Sequence, residues 1–83
     1  MKPFFTKPFI HDYQRLTERI QRIFNKQLKL LLKDYRHPSL QLAKLRGDIW
    51  YARVTQSYRF TFQISGNTYI LRRIGKHDIE KTP

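Results

Sequence analysis

Residues 47–78 read GDIWYARVTQSYRFTFQISGNTYILRRIGKHD. Three runs in this stretch, Ile49–Thr55, Tyr58–Ile64 and Thr68–Ile74, are rich in β-branched and aromatic residues. Such residues suit a pleated, half-buried surface. Gln56-Ser57 separates the first two runs, and Ser65-Gly66-Asn67 separates the last two. Gly and Asn accept the positive backbone dihedrals of tight hairpin turns. The stretch predicts a three-strand antiparallel meander.

Neighbouring side chains on a strand point to opposite faces. Trp50, Ala52 and Val54 share one face of the first run, and Tyr58, Phe60, Phe62 and Ile64 share one face of the second. That face is apolar and needs a cover. Tyr51, Arg53 and Thr55, with Arg59, Thr61 and Gln63, fall on the polar face. In the third run Ile70, Arg72 and Ile74 alternate with Tyr69, Leu71 and Arg73, and pattern alone assigns neither set to the core. Gly75-Lys76-His77-Asp78 puts a histidine and a cation at that strand's exit. Arginines on an open sheet face, with a histidine at its rim, suggest a site for a phosphodiester.

The cover comes from upstream. Lys2–Phe5 reads as a short edge strand. Thr6-Lys7-Pro8 reads as a helix start, since a hydroxyl caps free amides and proline suits the first turn. Phe9, Tyr13, Leu16, Ile20, Ile23, Phe24, Leu28, Leu31 and Tyr35 recur at helical spacing. Thr17-Glu18 offers a second cap, which predicts helices over 8–16 and 18–34, with one continuous helix as the alternative. Trp50, Val54, Phe60 and Phe62 are expected to pack against Leu16, Ile20, Ile23, Leu28 and Leu31. Arg15, Arg19, Arg22, Lys26, Lys29 and Lys33 take the outer faces, as a solvated surface or one that tracks a nucleic-acid backbone. His37-Pro38 ends the second helix. Ser39–Arg46 reads as a basic connector, and the IEKTP after Asp78 as too short for another element. The expected class is α+β in the order β-α-α-β-β-β, with residues 1–83 forming one domain.

Seventeen Lys and Arg face six Asp and Glu, a formal net charge of +11. A short chain with this excess repels itself, and a polyanionic partner, nucleic acid above all, relieves the repulsion. There is no cysteine, which excludes disulfides and thiolate metal sites and fits a reducing cytosol. No apolar run is long enough to span a bilayer, and the N-terminal residues show no signal-peptide pattern. His11 reads as a surface residue and His37 as a turn residue. With His77 they show no ligand spacing, so neither metal nor cofactor is expected.

The ordered set His37-Pro38-Ser39-Leu40, Lys44-Leu45-x-Gly47, Trp50, Arg53-Val54-Thr55, Tyr58-Arg59-Phe60-Thr61-Phe62 and Ile74-Gly75-Lys76-His77-Asp78 resembles the RelE/ParE toxins of bacterial type II toxin–antitoxin systems. The resemblance covers nearly the whole chain. It implies a small, mainly antiparallel sheet with two N-terminal helices packed on one face. RelE-like members cut mRNA in the ribosomal A site, and ParE-like members poison DNA gyrase. Arg59 matches the family arginine that contacts the scissile phosphate, and Arg53 a further strand arginine of RNA-cleaving members. His77 stands where such members place a histidine or arginine that takes part in cleavage. Lys44, Arg46, Arg72, Arg73 and Lys76 are the expected RNA-binding cations, and Asp78 either orients His77 or is a turn residue. The lysine pair that some members carry on the first meander strand is absent, and no tyrosine follows His77. The resemblance implies a cytoplasmic protein in a hetero-oligomer with a cognate antitoxin, and the charge implies that the antitoxin's binding segment is acidic. The expected function is a ribosome-dependent mRNA endonuclease. The alternatives are a ParE-like gyrase inhibitor and a degenerate member that only binds its antitoxin.

Overall fold

A computed structural model describes residues 1–83. Strand β1 (Lys2–Phe5) leads into helices α1 (Lys7–Gln14) and α2 (Glu18–Lys33). A 3-10 turn at Pro38–Leu40 precedes β2 (Ala43–Arg46), β3 (Ile49–Arg53), β4 (Tyr58–Ser65) and β5 (Thr68–Lys76), and a second 3-10 turn spans His77–Glu80. The sheet order is β1-β5-β4-β3-β2. β1 lies parallel to β5, and the other neighbours are antiparallel.

The meander stands as expected, and the outer elements differ in two places. The connector contains β2, so the order is β-α-α-β-β-β-β with five strands. Ala43-Lys44-Leu45-Arg46 is short and charged, and its pairing with β3 is a tertiary effect that local propensity does not carry. The residues after Asp78 complete a 3-10 turn, held by amide bonds from Lys81 to the Asp78 carbonyl and from Thr82 to the Ile79 carbonyl. The first run also stops at Arg53 instead of Thr55. Thr55 Oγ1 accepts the amides of Ser57 and Tyr58, each at 3.2 Å, and this bends the chain out of the strand.

The helical segment is split. Thr6 Oγ1 accepts from the Phe9 amide and donates to the Leu71 carbonyl at 2.7 Å, so one cap both starts α1 and ties it to β5. Thr17 Oγ1 accepts from the Ile20 amide to start α2. Both helices cover the apolar sheet face. Phe9, Ile20, Phe24, Leu31 and Leu40 form a single core with Ala52, Val54, Phe60, Phe62, Tyr69, Leu71 and Ile74. Phe24 stands edge-on to Phe60 at 5.1 Å, and Phe62 edge-on to Tyr69 at 5.4 Å, geometries that suit the aromatic quadrupole. Trp50, Leu16, Ile23 and Leu28 pack half-buried around this core. Tyr35 falls beyond the end of α2 and Ile64 near the end of β4, and both are exposed. Gln27 sits in the apolar stripe because its Nε2 donates to the Ser39 carbonyl (3.3 Å) and the Arg53 carbonyl (2.8 Å).

Two bulges decide which cations face which way. On β5, Leu71 pairs with Phe62 and Arg73 with Thr61, leaving Arg72 as the extra residue. Tyr69 and Leu71 face the helices before the bulge, and Ile74 faces them after it. The change of phase explains why alternation alone assigned no face to this run. On β2, Lys44 pairs with Trp50 and Arg46 with Ile49, leaving Leu45 as the extra residue. Lys44 and Arg46 therefore part to opposite faces despite their spacing of two.

Candidate nucleic-acid interface

Arg53 and Arg59 stand directly opposite each other on β3 and β4. Like charges in that arrangement repel. Neither is neutralised by a carboxylate, since the two ion pairs of the molecule are Arg73–Asp12 and His77–Glu80. Arg59 is held by its own hairpin. Its Nη1 donates to the carbonyls of Thr55 (2.5 Å), Gln56 (3.1 Å) and Tyr58 (3.0 Å). The Arg53 backbone is fixed through Gln27, while its guanidinium has no partner in the protein. The result is one anchored and one free guanidinium on adjacent strands, a pair suited to an anion with several oxygens.

The register brings the third predicted group to the same end of the sheet. Arg59 lies opposite Gly75, and Tyr58 opposite Lys76, so His77 follows where β5 leaves the sheet. The His77 side chain is 61% exposed, and its Nδ1 lies 3.4 Å from Glu80 Oε2. Asp78 is a turn residue, and the carboxylate beside His77 is that of Glu80, three residues on in the same 3-10 turn. This contact leaves Nε2 without a protein partner. Lys76 is exposed and, with Arg15 and Asp78, lines a neighbouring cleft of about 270 Å³. A Cβ on Gly75 would lie 2.9 Å from Ile79 Cγ2, so a glycine here lets the 3-10 turn close against β5.

The remaining cations divide. Lys44 lies on the helix side, with Nζ 5.5 Å from the centre of the Trp50 ring, and is separated by the sheet from Arg53 and Arg59. Arg46, Arg72 and Arg73 meet on the polar face, under the carbonyls of residues 81–83. Arg46 Nη2 donates to Lys81 O (3.1 Å), Arg73 Nη1 to Thr82 O (3.1 Å) and Arg72 Nε to Pro83 O (3.1 Å). Arg72 Nη1 also donates to Gln63 Oε1 at 2.6 Å. Thr61, fully buried at the centre of this face, donates from Oγ1 to Pro83 O at 3.2 Å.

Sequence reasoning missed Asp12. Its carboxylate accepts from Arg73 Nε (2.6 Å), Arg73 Nη2 (3.2 Å) and the Ile74 amide (3.2 Å). The hydrogen bond to Asp12 raises the Arg73 pKa further above its ordinary value, against the opposing effect of burial. A lone acid on a basic helix was the available signal, since a buried cation needs a counter-ion. No three His, Cys, Asp or Glu side chains cluster as metal ligands would. No helix is long and apolar enough to cross a membrane.

No family model matches the sequence, and no curated protein matches it. Solved structures do. The YoeB/ParE toxin from Agrobacterium tumefaciens superposes with a TM-score of 0.77 at 22% identity, covering 93% of this chain and 99% of that one. The E. coli DinJ-YafQ toxin–antitoxin complex gives 0.76 at 13% identity, covering 92% and 91%. The intact E. coli RelBE toxin–antitoxin complex gives 0.71 at 22% identity, covering 89% and 93%. Matched over most of its length to these proteins, the chain has the fold of the RelE/ParE toxins.

Proposed function

We propose that this chain is the toxin of a type II toxin–antitoxin system and cuts mRNA on the ribosome without a metal. The observation that carries the reading is the cross-strand pair Arg53–Arg59, free of carboxylates, with His77 at the strand exit beside it. The RNA 2′-oxygen attacks the adjacent phosphorus after losing its proton. The P–O5′ bond breaks, and the 5′-oxygen takes up a proton. Guanidinium groups match the charge that builds on the phosphorane oxygens. Histidine is the side chain suited to moving a proton near neutral pH, and Nε2 of His77 is the nitrogen available to do so. The products are a 2′,3′-cyclic phosphate and a 5′-hydroxyl, and DNA, lacking the 2′-hydroxyl, is not cut.

Two of the three structures named above are complexes with antitoxins. The net charge of +11 suits an acidic partner segment that folds on contact. The cytoplasm, where ribosomes and mRNA are found, is the proposed place of action. Pulse expression in bacteria, with protein synthesis and DNA supercoiling read separately, tests the proposal. Immediate arrest of translation with mRNA cut in the ribosomal A site is expected. Ongoing translation with gyrase poisoning would place the chain with the ParE-like inhibitors. A chain that leaves both processes untouched and still binds an acidic antitoxin would be a degenerate member.

A further inference from the structure

Residues 81–83 lie over the polar face like a strap. Their three carbonyl oxygens are each taken by arginine donors from the sheet, Lys81 by Arg46, Thr82 by Arg73 and Pro83 by Arg72, with Thr61 sharing the last. Ile79, 5% exposed, anchors the turn that delivers them. The Lys81 and Thr82 carbonyls offer neutral acceptors, whereas a phosphate oxygen offers a charged one, and charge-assisted bonds to guanidinium are roughly twice as strong. Donors on β2, β4 and β5 meet the backbone oxygens of three successive residues. Arg73 differs from the other two. Asp12 already balances its charge, so it supplies a donor and little net charge.

We propose that Arg46, Arg72 and Thr61, with one donor of Arg73, form a subsite for the phosphates of single-stranded RNA, and that residues 81–83 and the RNA exchange places on it. The inference rests on RNA as the ligand and adds the route of the strand, which leaves the Arg53–Arg59 pair and crosses β4 and β5 in the place that residues 81–83 vacate. RNA binding is then coupled to strap release, and release exposes two unbalanced cations, Arg46 and Arg72.

The amides of Lys81 and Thr82 report the strap directly, since both are hydrogen-bonded in the turn. Titrating the full chain with single-stranded RNA carrying 2′-O-methyl groups, which block cleavage, should move both resonances to random-coil positions. A chain ending at Glu80 should bind the same RNA more tightly, by roughly tenfold, because the strap's hydrogen bonds no longer have to be broken. The salt dependence of the two chains should be alike, because the same cations meet phosphates in both complexes. Replacing both Arg46 and Arg72 by Ala should lower the slope of log K against log salt by about 1.4, from two phosphates at about 0.7 each on a single strand. Unmoved Lys81 and Thr82 amides at saturating RNA would overturn the proposal, whether or not the shortened chain folds. So would equal affinity in a folded shortened chain, or an unchanged slope in a folded chain lacking the Arg46 and Arg72 guanidiniums. Strap release without any cutting of ribosomal mRNA would support the subsite and sink the endonuclease reading. Arg59-dependent cutting with the strap in place would do the reverse. A chain that binds no RNA at all would sink both.

Discussion

Removing the Arg59 guanidinium breaks three hydrogen bonds to the β3–β4 turn as well as taking a charge from the site. The two losses separate by magnitude. Net hydrogen bonds are worth about 0.5–1.5 kcal/mol each in stability, whereas losing a group that meets transition-state charge typically costs about a hundredfold or more in rate. Arg59→Ala should therefore melt earlier yet still bind programmed ribosomes, with single-turnover mRNA cleavage down by about a hundredfold or more. His77→Ala should leave melting unchanged and lower cleavage by roughly a hundredfold to ten-thousandfold. Normal cleavage by both variants would move the active site away from this face. Arg53 and Arg59 were legible in the sequence because period-two alternation is strict inside β3 and β4. The partner of His77 was not, because the Glu80 contact exists only once a 3-10 turn forms after the strand.

Strands with regular pairing showed their faces in the sequence, whereas of the two interrupted by bulges β5 was read as a strand without assigned faces and β2 was read as connector. The faces of β3 and β4 followed from alternation, and Thr6 and Thr17 marked both helix starts. β5 changes phase at Arg72 and β2 at Leu45, and the cost of an unpaired residue is met by tertiary contacts that a local pattern does not contain. The core makes a direct test of the face assignment. Phe62 is fully buried between Phe60 and Tyr69. Phe62→Ala should destabilise by about 3–5 kcal/mol in urea or thermal melts, most of the stability of a domain this size. The turn after β5 makes a second test. Gly75→Ala would bring a methyl group to 2.9 Å from Ile79 Cγ2. The His77–Glu80 turn must then shift, and overpacking of this kind costs about 1–3 kcal/mol. Cleavage should fall by more than the melting loss accounts for, because His77 moves with the turn. Parental cleavage by a folded Gly75→Ala chain would mean that the position of His77 is immaterial.

Charge and order of assembly belong to the whole molecule. A net charge of +11 with a single ion pair between permanently charged side chains leaves most cations unbalanced. Lys26→Ala and Lys29→Ala, on the outer face of α2, should weaken RNA or ribosome binding and flatten its salt dependence, with the rate of the bound complex unchanged. A rate effect instead would place these lysines at the reacting phosphate. At alkaline pH a different group dominates. Burial, and then the nearby Tyr35 charge, raise the Tyr69 pKa above its ordinary 10.0. The folded phenol stays neutral where the unfolded one ionises. Its contribution is complete below about pH 10 and is lost as pH rises through the folded value. Tyr69→Phe should remove that alkaline loss, and melts of the two proteins compared across pH 9–12 would show it as a difference that grows with pH. Equal slopes would mean that Tyr69 ionises as freely in the folded state as in the unfolded one. The parallel pairing of β1 with β5 carries a consequence for synthesis. Lys2–Phe5 are made before every other strand of the sheet, yet their partners Thr68–Leu71 belong to the strand made after the other four. The Thr6 hydroxyl that caps α1 likewise waits for the Leu71 carbonyl, 65 residues on. A contact this distant pays its loop-closure entropy late. The sheet that carries Arg59 therefore closes only after β5 has been made.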